Sequence, residues 1–414
     1  MRFDRRTPHG SVRPGAAQTR SEYKRRFFDS GASVPFVREP IVPDASTPQH
    51  DSVAGYARRP VTRCTGVSRK HLLRSERLLE TVAECPRLVI VTHDNPDPDA
   101  ISSGWAIATL LRERAGRRPR FLAGGEVLRA ENRQMMELLD PPLELVDSFE
   151  PSGDTAVILV DCGVNGSNHL LFHSNADIVA VIDHHQQTGK CATRFKDIRP
   201  SVAACASIAT QYLREQNIFP STRLATALMY GIHTETAGFE TSHSQTDRRA
   251  LRWLTGFANP DWLAEIQNAP LPREYFTDLV LALQNTFLYD GAAFCLLPKV
   301  SGPEVVGEVA DLIIRCKDVA YALCAGAWEA DALVSIRTKP GTRSAARLAA
   351  ETLRGLGHSG GHEHRAGGKI ADLRTGQITE SLEDELRQRW LNACNVERTR
   401  GTRLIAPRDI RQIL

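Results

Sequence analysis

The sequence predicts an α/β protein: an N-terminal domain built on a parallel sheet with helices on both faces, and a smaller α/β domain across a cleft. Three observations predict it. Short apolar runs at 88–91, 156–160 and 177–182 alternate with segments of helical period. Each run is apolar throughout rather than at every second position, as strands buried on both faces of a parallel sheet must be. After a more polar helical stretch at 240–290, the same alternation starts again near Ala292.

The elements follow in order. Residues 1–66 hold seven prolines and no sustained period, and are expected to be a disordered extension. From Ser68, residues Leu72, Leu73, Leu78, Leu79 and Val82 mark a helix leading to the strand Leu88–Val91. Ile101, Trp105, Ala108 and Leu111 share one face of the next helix, with Trp105 assigned to packing. A strand at 119–122 and a helix at 131–139 precede the Pro141-Pro142 break. Helices are expected at 203–215 and 221–231. The second α/β pattern has strands at 293–297, 319–327 and 331–337, helices at 304–316 and 343–356, and a glycine-rich turn at 357–368. The expected domains are therefore 67–260, a helical connector 261–290, 291–395 and a basic tail 396–414. No internal repeat is present.

Composition excludes several classes. With 42% hydrophobic and 24% charged residues the chain has a globular composition. No apolar run approaches the ~18 residues of a membrane span, and the N-terminus lacks the apolar core of a secretory signal. Nine cysteines without a C-x-x-C pair point to reduced thiols and a cytoplasmic setting. Net charge is +3, but residues 1–70 hold 14 Lys/Arg against 6 Asp/Glu. The extension is thus either a loose grip on a polyanion or a solvated tail.

The chemistry gathers where three strands end. The first ends in His93, Asn95, Pro96, Asp97, Pro98 and Asp99, the second in Asp161, the third in Asp183, His184 and His185. Carboxyl ends of parallel strands are where open α/β sheets bind ligands. Each acid alone could cap a helix, and Asp99 could cap the helix from Ala100. That role leaves Asp97, His93 and His184 without an explanation. Mixed imidazole and carboxylate donors fit Mn²⁺, Mg²⁺, Fe²⁺ or Zn²⁺, and the imidazoles favour Mn²⁺ over Mg²⁺. The donors outnumber the needs of one ion and suit two, bridged by an aspartate, as in displacement at phosphorus.

HDNPDPDAISS, VDCG, DHH and GIHTET resemble, in order and spacing, the four motifs of the DHH phosphoesterase superfamily, and SGGHEHRAGG resembles the glycine-rich signature of the DHH-associated C-terminal domain. The resemblance covers roughly 68–395, and its plan is similar to the NrnA-like branch of oligoribonucleases and 3′-phosphoadenosine 5′-phosphate phosphatases. It implies an N-terminal DHH domain and two Mn²⁺ ions, with Mg²⁺ or Co²⁺ as substitutes. His93 and Asp97 would bind one ion and Asp99 the other, Asp161 would bridge them, and His184 would ligate the second. His185 would contact the phosphate or orient a ligand, and Asp183 would orient the pair or simply cap its turn. Glu235 stands where the family has aspartate and is kept as a ligand, although it is one methylene longer. Pro98 stands where glycine is usual.

For the second domain the resemblance implies a phosphate grip by Arg337, with His362 on a phosphate or base. Gly360 and Gly361 would offer an anion nest or make an ordinary tight turn. Arg365 stands where the family often has alanine, so its role is open. Arg337 is otherwise a loop arginine in an ion pair. The implied substrates are short single-stranded RNA two to five units long, pApA, cyclic di-AMP or 3′-phosphoadenosine 5′-phosphate, and the implied assembly is a homodimer. No oligonucleotide-binding barrel pattern or sensor module is evident, which disfavours a RecJ-like nuclease and a membrane sensor. The alternatives are an inorganic pyrophosphatase or polyphosphatase of the same superfamily, and a non-catalytic nucleotide-binding regulator.

Overall fold

The structure, a computed structural model, describes residues 72–166, 168–172, 174–186, 192–236, 244–361, 363–373, 376–397 and 399–406. The basic extension 1–66, His362 and the tail end 407–414 lie outside the described residues. The first part runs α1 (Arg74–Val82), β1 (Arg87–Val91), α2 (Pro98–Ala115), β2 (Arg120–Ala123), α3 (Ala130–Leu139), β3 (Leu143–Leu145), β4 (Thr155–Val160), β5 (Asp177–Asp183), β6 (Phe195–Ile198), α4 (Cys205–Glu215), α5 (Thr222–Thr236), α6 (Gln245–Leu254) and α7 (Pro260–Gln267). Its six strands are all parallel, in the order β3-β2-β1-β4-β5-β6. The chain leaves β1 toward β2 on one side and returns to β4 on the other. The carboxyl ends of β1 and β4 therefore flank the topological switch point, where such sheets open a crevice.

The α/β class holds, but the two faces of this sheet differ from expectation. Leu78 of α1, Ile107 of α2, Ile208 of α4, Leu228 of α5 and Leu254 of α6 share one core with Ile90, Ile158 and Ile182 of the strands. On the opposite face Val89, Val91, Val157, Leu159 and Val181 meet Val146, Phe149, Cys162, Leu170 and Leu171, which belong to connections. Among the described residues, helices thus cover one face and loops the other. In the connection after β4, Gly163, Asn165, Gly166 and Asn168 disfavour a helix: glycine carries the largest backbone entropy cost there, and asparagine competes for its backbone hydrogen bonds.

The first loop corrects the expected helix start. Asp97, not Asp99, caps α2, its Oδ1 accepting from the Ala100 amide at 2.9 Å. Pro98 then occupies the first helical position, where its missing N–H costs nothing. Asp99 caps a different helix: its Oδ2 and Oδ1 accept the amides of Cys205 and Ala206, both at 2.7 Å, at the start of α4.

Gly231 sets how near α5 comes to this loop. A Cβ there would lie 2.5 Å from Ser102 Oγ and 2.8 Å from the Pro98 carbonyl oxygen. The backbone oxygen cannot step aside, so Gly231→Ala must push α5 off α2. We expect a loss of ~1–3 kcal/mol, the usual cost of overpacking, read as a lower midpoint in urea. An unchanged midpoint would contradict the close approach.

The second part runs α8 (Arg273–Gln284), β7 (Thr286–Tyr289), β8 (Ala292–Leu297), α9 (Val305–Ile313), β9 (Tyr321–Trp328), β10 (Asp331–Thr338), α10 (Ala345–Leu353), β11 (His358–Gly361), β12 (Arg365–Ile370), α11 (Glu380–Ala393) and β13 (Thr402–Arg403). The seven strands order as β11-β12-β10-β9-β8-β7-β13, parallel only between β8 and β9. Here helices do cover both faces, α8 and α9 on one and α10 and α11 on the other. Trp390 anchors α11, fully buried with its indole N–H donating to the Ala293 carbonyl at 3.1 Å.

Three expectations change. The stretch read as a connector, 261–290, contributes β7 to the second sheet. The tail from 396 contributes β13. The glycine-rich turn is a hairpin in which Gly360 pairs with Gly367 and Gly361 with Ala366. At Gly361, with φ 148°, a Cβ would meet Ala366 Cα at 2.4 Å. Close strand pairing therefore accounts for Gly361, whereas a Cβ at Gly360 would meet no atom within 4 Å.

Candidate metal centre and cleft

Adjacent strands bring the sequence-predicted donors together. The Asp161 amide extends the ladder past β4, donating to the Ile182 carbonyl at 2.9 Å. Asp161 itself has φ 59°, a left-handed conformation that side-chain-bearing residues seldom adopt. The loop after β1 is held on two sides: the Asp94 amide donates to the Asn168 carbonyl at 2.7 Å and the Asn95 amide to the Gly124 carbonyl at 2.9 Å.

Asp161 stands between two imidazole groups. Its Oδ2 lies 3.7 Å from His93 Nε2, which is 3.8 Å from Asp97 Oδ1. Its Oδ1 lies 3.3 Å from His184 Nε2 and 3.7 Å from His185 Nδ1. His184 Nε2 is also 3.6 Å from Asp99 Oδ2. Among the described residues, the triads His93/Asp97/Asp161 and Asp161/His184/His185 each present donor atoms within 4.8 Å of one another, and Asp161 belongs to both. Asp183 contacts the turn through its backbone and through one ring. Its Oδ1 accepts the His184 amide at 2.8 Å and the His185 amide at 3.1 Å, which caps the turn. The same oxygen is 2.8 Å from His185 Nδ1, which fixes that ring. The His93 ring is fixed by its Nδ1, 2.9 Å from the Asp94 carbonyl. A proton on Nδ1 makes that bond and turns Nε2 toward Asp97 and Asp161, as an imidazole ligand is usually oriented.

The electrostatics are those of a cation site. Burial first, then the charges of Asp161, Asp97 and Glu235, push the Asp99 carboxyl far above the usual range. Burial and Asp97 do the same for Asp161. Burial and Asp97 also raise Glu235, while His184 and Arg365 draw it down. Burial would lower His93, but the hydrogen bond to Asp97 and the charges of Asp97 and Asp161 outweigh it and lift its pKa to about 10. For Asp97, burial acts upward and His93 overcomes it, holding the carboxyl below its usual value. Asp161 Oδ1 is buried and accepts no hydrogen bond. An anionic oxygen left this way is costly unless a cation faces it. The donor set, and a buried carboxylate oxygen that meets imidazole nitrogens without a hydrogen bond, fit divalent ions.

The site opens into a cavity of about 400 Å³ lined by His93, Asp161, Cys162, Asn168, Asp183 and His185. A larger cavity of about 960 Å³ lies alongside the second sheet, lined among others by Arg129, Tyr275, Glu308, Asp311, Arg337 and Arg365. Arg337 is not an open grip. Its Nε and Nη2 bind Asp311 at 2.6 and 3.2 Å, and its Nη1 binds Ser335 Oγ at 2.7 Å. Burial would raise Asp311, but Arg337 holds it below its ordinary value. Gly360 and Gly361 do not line this cavity, and His362 lies outside the described residues.

Residues 87–232 match the DHH family, N-terminal domain. That stretch is a DHH-family N-terminal domain. It is 32% identical over 284 residues to an uncharacterized protein of Methanocaldococcus jannaschii, covering 68% of this chain and 58% of that one. It is 28% identical over 160 residues to a probable manganese-dependent inorganic pyrophosphatase of Streptococcus suis, covering 36% and 48%. The matches thus span about half of these curated relatives. An exopolyphosphatase-related protein from Bacteroides fragilis shares the fold, with a TM-score of 0.63 at 16% identity over 78% of this chain and 96% of that one. The DHH tripeptide is Asp183-His184-His185, and the domain bounds enclose every candidate ligand except Glu235.

Arg129, Glu308 and Asp311 were not foreseen. Arg129, which precedes α3, donates to Glu308 of α9 at 3.0 Å, so the pair joins two elements 179 residues apart. No local pattern announces such a contact. No helix among the described residues is long and apolar enough to cross a membrane.

Proposed function

We propose that this DHH protein is a divalent-cation-dependent phosphodiesterase acting on short oligoribonucleotides or dinucleotides such as pApA. His93, Asp97, Asp99, Asp161, His184 and Glu235 would hold two ions, Mn²⁺ foremost. The observation that carries the reading is the Asp161 carboxylate, shared by two donor triads, with one buried oxygen that accepts no hydrogen bond and faces the His184 and His185 rings. When bound, the ions supply Lewis-acid chemistry, making water a nucleophile near neutral pH and offsetting charge that builds at phosphorus. The chain's own residues do the rest. Asp183 locks the His185 ring beside the cavity, where it can contact a phosphate oxygen, and Asp99 ties that cluster to the start of α4. Burial pulls His185 toward the neutral form, but Asp183 and then Asp161 raise its pKa, which favours the charged ring an anionic substrate needs.

Cavity size supports a nucleotide over a bare phosphate. A volume of about 960 Å³ is at the upper end of the ~300–1,000 Å³ typical of sites for drug-sized ligands. Its lining sets Arg129, Arg315, Arg337, Lys339 and Arg365 against Glu131, Glu308 and Asp311, a net positive surface suited to an anionic ligand. The similarity to a probable inorganic pyrophosphatase favours pyrophosphate as the second reading. A panel of pApA, 3′-phosphoadenosine 5′-phosphate, cyclic di-AMP, pyrophosphate and polyphosphate with Mn²⁺, Mg²⁺ and Co²⁺ separates them. We expect pApA to be hydrolysed with the highest kcat/KM in Mn²⁺. Pyrophosphate outrunning pApA would overturn the substrate class.

A further inference from the structure

Arg365 touches both halves of the molecule. It begins β12, yet its Nη1 donates to the Thr234 carbonyl at 3.1 Å. Thr234 lies in the last turn of α5, whose final carbonyls have no partner within the helix. A cation there also complements the negative end of the helix dipole. The residue after Thr234 is Glu235. On its other edge Arg365 Nε lies 4.0 Å from Asp311 Oδ1, the carboxylate that Arg337 engages.

We propose that Arg365 is a positioning residue that fixes the end of α5, and with it Glu235, at the metal centre. The inference rests on the reading of Glu235 as a ligand. Glutamate has one more rotatable bond than the aspartate of the family pattern, so more freedom must be removed for it to meet an ion. An arginine reaching from the second sheet does not restrain that bond, but by tethering the adjacent carbonyl it fixes the backbone from which the carboxylate must reach. Gly231, one turn earlier, already lets α5 pack closely against α2. Arg365 thereby links the Asp311–Arg337 pair in the larger cavity to the metal cluster, through hydrogen bonds and one longer charge contact.

The test is Mn²⁺ titration calorimetry on full-length wild type, Arg365→Ala, Arg365→Lys and Glu235→Ala, with kcat and KM for pApA measured in parallel. Partners that orient a ligand typically change metal affinity by ~10–100-fold when removed. We expect Arg365→Ala to weaken one of the two ions by about 10-fold or more, to leave the other unchanged and to lower kcat at saturating substrate more than it raises KM. Arg365→Lys, which keeps the charge at the helix end, should recover part of the loss. Glu235→Ala should weaken the same ion further. Circular dichroism in EDTA guards against misfolding, and Arg365→Lys remains interpretable if Arg365→Ala does not fold. If Glu235→Ala weakens an ion but both Arg365 variants bind two ions as wild type does, the inference fails and the ligand reading stands. If Glu235→Ala leaves both ions unchanged, the ligand reading fails and the inference falls with it.

Discussion

Asp161→Asn should reduce turnover by more than ~100-fold, because even residues that only orient a ligand typically contribute ~10–100-fold and Asp161 belongs to both donor triads. Asparagine is the informative replacement. It tolerates the left-handed backbone that Asp161 adopts at φ 59°, so the turn keeps its shape while the charge is lost. Alanine would remove the charge and strain the backbone together. The effect on stability should have the opposite sign. In EDTA the wild-type carboxylate is buried and repelled by Asp97, which together outweigh the draw of His185 and His93, and its Oδ1 accepts no hydrogen bond. Neutralising it removes a penalty, so the metal-free variant should melt at or above the wild-type temperature. Sites built for function commonly sacrifice stability in this way. Retained turnover in Asp161→Asn, measured on pApA with Mn²⁺, would defeat the proposed chemistry.

The second large effect is on thermal stability as pH and Mn²⁺ change. Asp99, Asp161 and Glu235 have folded pKa values raised above the ordinary carboxylate range. Raised carboxylates favour the folded state while protonated and oppose it once ionised. Their contribution in the metal-free protein is therefore complete below the ordinary carboxylate range and lost as pH rises from there through the raised folded values. His93 acts in the same direction: its stabilisation is complete below the ordinary imidazole value and is lost as pH approaches about 10. Asp97, whose pKa is lowered by His93, acts oppositely, but only as pH falls below the carboxylate range. Cations reverse the balance, since they bind the ionised acids and the imidazole without its extra proton. The rise in Tm on adding Mn²⁺ should therefore grow from pH 5.5 to pH 8. At an ion concentration ~100-fold above Kd the linkage term is ~2.7 kcal/mol per site, and ~1 kcal/mol moves Tm by ~2–4 °C in a chain of 150–250 residues. A shift of about 5 °C or more at pH 8 is expected on that basis. A shift that is equal at both pH values, or that survives in Asp161→Asn, would count against the cluster as its origin.

What was legible in the sequence had local causes. Leu88–Val91, 156–160 and 177–182 are apolar throughout, so each reads as a buried parallel strand, and the acid or imidazole at each end stands out against it. The parallel order then guarantees that three strand ends meet. Short strands such as β3 and β6 carry too few residues to show a pattern. Glycines concealed β11 and β12, because in this hairpin they serve close pairing, whereas in isolation they signal a turn. The one-sided helical cover was hidden as well, since parallel strands look equally apolar whether helices or loops lie on them. Asp99 illustrates a different limit: its sequence neighbour is α2, but its oxygens hold the amides of Cys205 and Ala206, more than a hundred residues away. Arg337 is alike: its sequence context fits a phosphate grip or an ion pair, and nothing local names Asp311 of α9 as the partner.

Crystals soaked in Mn²⁺ and measured at its absorption edge test the shared role of Asp161 most directly. Two anomalous peaks roughly 3.5–4 Å apart should straddle its carboxylate, one beside His93 and Asp97, the other beside Asp99, His184 and Glu235. A map with no peak at Asp161, or with a single ion that leaves one of its carboxylate oxygens unengaged, would contradict the two-ion centre.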